Sequence, residues 1–145
     1  LYRDVKNAQV VSSADLAGAE PLVSVAVVSD FAQSMAAIDV HWDNLKLIQK
    51  ADWQVTAEHP DIDPPHEALM LNEHIRELLR QEAGNVYSEE ELTEMQDFKE
   101  YLSDSVKQSA ELESGLREGR SVEQLEHTFQ ALRQSCKSCH KAYRN

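Results

Sequence analysis

From Val28 to Leu45 the apolar residues Val28, Phe31, Met35, Ile38, Trp42 and Leu45 recur at alternating steps of three and four. That spacing lines one face of a helix and suits nothing else in the repertoire. Asp39, Asp43 and Lys46 are expected on the other faces. The same periodicity returns three times along the 145 residues, and no stretch alternates as a strand would. Only four Gly and four Pro punctuate the chain, too few for an all-β design of many tight turns. The length allows one domain with a real core.

Four helices are expected. The first runs from about Glu20 to about Ala51, followed by a loop over Trp53 to Pro65 that holds Pro60, Pro64 and Pro65. The second starts after Pro65 and runs to about Ala83, with Leu69, Leu71, His74, Ile75, Leu78 and Leu79 on its apolar side; Gly84 and Asn85 stop it. Ser88 caps the third helix, and Glu89, Glu90 and Glu91 complement the positive end of its dipole. Leu92, Met95, Phe98, Leu102, Val106 and Ala110 form its stripe as far as Glu118-Gly119. Ser121 caps the fourth, with Gln124 completing a capping box, and Leu125, Phe129, Leu132 and Cys136 lead on to Tyr143. The fold class is thus all-α, an antiparallel four-helix bundle over residues 20–145 with an N-terminal arm over 1–19 whose structure the pattern leaves open.

The net charge is −12. It disfavours nucleic acid and anionic membranes and suits a basic redox partner, although acidity is ordinary among soluble proteins. No segment approaches the roughly 18 apolar residues of a membrane span. Pro21 to Val28 is too short and lacks the flanks of a signal peptide. The chain starts at Leu1 rather than Met, which reads as a trimmed product and leaves export open.

The chemistry lies in Cys136-Lys-Ser-Cys139-His140. On a helix these three side chains share one face. Two thiols at that spacing reach the two vinyl groups of a haem, and the next imidazole serves as proximal iron ligand. With only two cysteines, the pattern arises by chance about once in a thousand placements. A redox disulfide normally sits at a helix start after a strand. A zinc site needs two more ligands, and His127, nine residues upstream, would have to curl back along its own helix. One covalent haem c is the expected cofactor.

The stretch from Phe129 to Arg144, with Cys-Lys-Ser-Cys-His-Lys-Ala-Tyr-Arg, resembles the C-terminus of cytochromes c′, the class II c-type cytochromes. Phe98-Lys99, the Glu118-Gly119 break and the Ser121 restart are similar to that family's third helix, turn and fourth helix. The resemblance covers about the last 50 residues. It implies a four-helix bundle, usually a homodimer, in the bacterial periplasm, with the haem between helices near one end. It further implies thioether sites at Cys136 and Cys139, a proximal His140, Arg144 one turn below it, and Phe129 near the haem. In cytochromes c′ the distal residue is apolar and the iron five-coordinate; in the related cytochromes c556 a Met fills the site.

The first helix begins later than is usual, so the distal residue must be read from the bundle. The fourth helix runs antiparallel to the first, which turns the haem end toward Val28, Phe31 and Met35. Met35 is either an axial thioether or plain core. His41, beside the seam, would give a bis-His iron. His74 reads as a core or boundary residue; His59, His66 and His127 read as exposed. A His–Met iron carries electrons, and a five-coordinate iron binds diatomic gases such as nitric oxide and carbon monoxide. A peroxidase would need a distal His with a nearby acid or Arg, and none can be placed. The expectation is a one-electron carrier that is not an enzyme, with gas binding the alternative and a haem that merely staples the bundle the weakest.

Overall fold

The computed structural model describes residues 30–84 and 89–143. Within them lie four helices: α1 (Asp30–Lys50), α2 (Pro64–Gly84), α3 (Glu89–Glu118) and α4 (Val122–Tyr143). There is no strand among the described residues, only an isolated bridge between Thr56 and His59 in the α1–α2 loop. The arm over 1–19, the expected helical start over 20–29 with Val28, the Ser88 cap and Arg144 lie outside the described residues.

The bundle is antiparallel. α2 packs on α1 and α3, and α3 on α4. α1 meets α4 chiefly through side chains, whose partners set the register. Gln49 Nε2 donates to both carboxylate oxygens of Glu126 at 2.9 and 2.8 Å. Trp42 stacks on Phe129, with ring centroids 4.6 Å apart. Numbers thus rise on α1 as they fall on α4, so α1 begins where α4 ends. Between α2 and α3, the buried Asn72 amide donates to Val106 O at 2.8 Å and Ser109 Oγ at 2.9 Å. A slip of one residue would leave those groups unpaired in the core, at about 1–3 kcal/mol each.

The apolar stripe of α1 is not evenly buried. Leu45 and Ile48 are in the core, Met35, Ile38 and Trp42 are only partly covered, and Phe31 is 36 % exposed. The core therefore sits toward the α1–α2 loop, and the motif end of the bundle is open. Phe129 anchors the closed end, at 1 % exposure between Trp42 and the edge-on ring of Trp53. Trp53, expected in a loop, is a core residue. It is carried there by a left-handed reversal in which Asp52 (φ 52°) and Trp53 (φ 64°) follow one another. The Trp53 N–H donates back to Ile48 O at 2.9 Å, closing the helix end. Two non-glycine residues in this region cost on the order of 1–3 kcal/mol each. Burial of the indole offsets part of that cost, its Nε1–H being buried without a partner among the described residues.

The helix starts follow local chemistry. α2 begins at Pro64, slightly earlier than expected, because Asp63 caps it: its Oδ2 accepts the His66 N–H at 3.0 Å. Prolines in the first turn lose no bond, since those N–H groups have no intrahelical partner. At α4 the capping box forms, with Ser121 N–H to Gln124 Oε1 at 3.1 Å and Gln124 N–H to Ser121 Oγ at 3.4 Å. Between α3 and α4, Gly119 takes φ 66° and a Cβ there would meet nothing within 4 Å. Gly119→Ala should thus cost only the left-handed penalty, about 1 kcal/mol, read as a lower urea midpoint with unchanged slope. Gly115 is different: a Cβ there would sit 3.0 Å from Leu125 Cδ2, where α3 and α4 approach closely.

Candidate haem-binding site

The open end of the bundle holds a cavity of about 430 Å³. α1 lines it with Met35, Ile38, Asp39 and Trp42, at helical spacing. α4 lines it with Arg133, Cys136, Lys137, Cys139 and His140. Ile75 closes the floor from α2, and Tyr101, Leu102 and Ser105 from α3. A second cavity of about 410 Å³ adjoins it, shares Met35, Asp39, Cys139 and His140, and is extended by Phe31, Ala32, Ala36, Phe98 and Tyr143. The volumes fall in the range of cofactor sites, and the walls are mainly apolar with a few polar groups.

Cys136 is half-buried and Cys139 buried, and both are free. Burial pushes the Cys136 thiol up, opposed by a hydrogen bond with Ser105. Burial also pushes Cys139 up, and the neighbouring Cys136 adds to it. Both sulfurs are therefore held as thiols at neutral pH. A dithiol built for disulfide exchange has the opposite character, with one sulfur's pKa lowered at a helix start. Here the pair lies late in α4. Among the described residues no group of three or more His, Cys, Asp or Glu is placed to hold a metal ion by itself.

The other sequence-derived candidates fall as follows. Met35 lines both cavities and Phe31 the second. Phe129 lines neither; seven residues before Cys136, it lies deeper in the bundle and holds Trp42, which does line the cavity. His41 also lines neither. It faces α2, with its Nδ1 2.7 Å from Glu67 Oε2 and its ring stacked on His74, centroids 5.4 Å apart. Asn44 donates to the same Glu67 oxygen at 3.0 Å. The α1–α2 seam thus engages His41, the residue of the bis-His alternative, away from both cavities. His59, His66 and His127 are exposed and His74 is half-buried. Asp39, assigned above to another face, borders both cavities. Arg133 and Lys137 were not singled out at all; their position one helical turn apart on the motif's own face was the available signal.

The family model described as Cytochrome C' matches residues 79–144, from the end of α2 through α4. Over that stretch the chain is similar to the cytochrome c′ family. Comparison with curated proteins and with solved structures gave no match. That likeness, together with Cys136, Cys139 and His140 on one cavity wall, supports a c-type haem protein of class II. The cytochrome c′ match covers the α3 and α4 walls of the cavity, while Met35, Asp39 and Trp42 on α1 lie outside it. The residues present fit the group. An apolar slot opens between α1 and α4, two protonated thiols and an imidazole stand on one wall, and cations stand at its edge. No described helix is long and apolar enough to cross a membrane.

Proposed function

We propose that the protein is a one-electron carrier of the bacterial periplasm with a single haem c. The observation that carries this reading is that Met35 of α1 and His140 of α4 border the same two cavities. Cys136 and Cys139 would attach the group, each thiol adding its sulfur and its hydrogen across one vinyl bond, so that no oxidant is consumed. His140 would be the proximal donor and Met35 the distal one. When bound, haem supplies the iron couple, and a Met–His pair raises its potential and leaves no open position. Ile38, Trp42, Ile75 and Leu102 exclude water from the slot. The role is transfer of electrons, without a catalysed reaction of its own.

A net charge of −12 suits a redox partner with a basic face, because opposite charge speeds encounter. Val40 and Leu47, two turns apart on α1, are exposed apolar residues that support a homodimer.

The second reading is a five-coordinate haem that binds nitric oxide or carbon monoxide for scavenging or sensing. The adjoining cavity favours it, since Ala32 and Ala36 leave room beside Met35. Absorbance of the reduced protein separates the two. The carrier reading expects a low-spin spectrum unmoved by carbon monoxide, and Met35→Leu should convert it to a high-spin, carbon monoxide-binding form. A high-spin spectrum in the unaltered protein would exclude Met35 as a ligand.

A further inference from the structure

Charge is laid unevenly along the chain. Residues 127–145 hold four Lys or Arg and no Asp or Glu, while the other 126 residues hold ten bases and all 26 acids. Three of the four, Arg133, Lys137 and Lys141, stand at four-residue steps in one row along α4, and all three are exposed. Most other cations on the described helices and turns hold a carboxylate. Lys46 pairs with Asp43, Arg76 with Glu73, Arg80 with Glu77, Lys107 with Asp104, Arg117 with Glu113, and Arg120 with Glu111 and Glu118. No member of the row has an ion pair with a described residue. Lys50 has none either, but it stands by itself at the closed end.

Arg133 and Lys137 border the first cavity, and Lys137 lies between the two motif cysteines. Thioethers at Cys136 and Cys139 would hold the vinyl edge of a haem against this part of α4 and send its carboxylates to the opposite edge. The row therefore stands over the vinyl edge, where an acceptor docked on α4 would come nearest to the ring. Electron exchange falls steeply with that distance, so the charge over this edge selects the partner. We propose that the row is the docking face for an acidic patch on the protein that exchanges electrons with the haem. This rests on the carrier reading given above and adds the contact chemistry of its partner. The exchange moves one electron across the contact, with no bond made or broken. The net charge of −12 acts from a distance and turns an acidic patch away from the other sides. Within about 8 Å, the screening length at physiological salt, the row's own sign decides the contact. A partner that is basic overall gains from both, its bulk drawn to the acidic body and its acidic patch to the row. Anionic lipid offers the same sign as that patch, but over a plane. A plane would also meet the exposed acids beside the row, Asp39 and Asp43 on α1 and Glu100 and Asp104 on α3, whereas a protein patch can be as narrow as the row.

The test uses the full chain carrying haem, checked by mass and absorbance. The reduced protein is oxidised in stopped flow by an anionic reagent, hexacyanoferrate(III), and by a cationic one, tris(phenanthroline)cobalt(III). Against the sign of the whole chain, lowering the salt should speed the reaction with the anion. Arg133→Gln/Lys137→Gln/Lys141→Gln should lower the anion's rate at low salt about tenfold and raise the cation's. A change in midpoint potential alone would move both rates the same way. Arg133→Gln/Lys141→Gln leaves the motif untouched and carries the test if the triple variant does not mature. Lys107→Gln/Arg117→Gln changes the net charge as much as that double variant and should leave both rates in place. Polyglutamate is the macromolecular probe: it should slow the anion's reaction with the unaltered chain and not with the triple variant. A haem-bearing chain whose reaction with the anion slows as salt falls overturns the proposal and leaves the carrier reading intact. So does a lack of competition by polyglutamate, and capture by phosphatidylglycerol vesicles would then make the row a membrane contact. A chain that carries no haem, or one that exchanges no electron with either reagent, overturns the carrier reading and this proposal with it.

Discussion

A chain in which Cys136 and Cys139 are both replaced by Ser should lose all covalent haem. After maturation in a periplasm, the unaltered protein should keep a haem stain through denaturing electrophoresis and gain a haem-sized mass; the double variant should show neither. The hydroxyl is a far weaker nucleophile than the thiol it replaces, and near-isosteric, so the cavity wall is kept. The single variants sharpen the result. The two thiols stand one turn apart on the same wall, so each single variant should retain one link at reduced yield. A double variant that held haem through denaturation would contradict the attachment chemistry.

The second large effect is on stability. Phe129→Ala should cost about 3–5 kcal/mol, the usual range for a fully buried aromatic. That is a large share of the roughly 5–15 kcal/mol that hold a domain together. Phe129 is 1 % exposed, and its ring meets both Trp42 and Trp53, so the deletion removes the contact that spans α1, the left-handed turn and α4. Urea unfolding followed by Trp fluorescence should report a lower midpoint. The spectrum of any bound haem should also change, since Trp42 lines the cavity and rests on Phe129. A loss below about 1 kcal/mol would mean that the tryptophans close over the gap.

Much of this was legible from residue spacing, and what was not has physical reasons. The α4 cap was readable because Ser121 and Gln124 satisfy each other's backbone at a fixed separation. Asp63 was masked by the prolines beside it, which read as a loop although they open a helix. Trp53 was invisible because nothing periodic surrounds it; its place depends on a turn made without glycine. Apolar patterning found Met35 and missed Asp39, since a half-open cavity admits a carboxylate that a closed core would reject. Arg133 and Lys137 are exposed, as charges on a helix usually are, and only the packing of α1 against α4 brings a cavity to their side. His41 needed its partner on another helix, 26 residues away, before its role could be seen.

The uneven burial along α1 bears on how the molecule is assembled. Leu45, Ile48, Phe129 and Leu132 are fully packed within the protein, whereas Phe31, Met35 and Tyr143 line a cavity. One end of the bundle is thus self-sufficient and the other is an unfinished mould. Opening of that mould costs little while the remote end stays shut. A haem seated there would complete the last part of the interior.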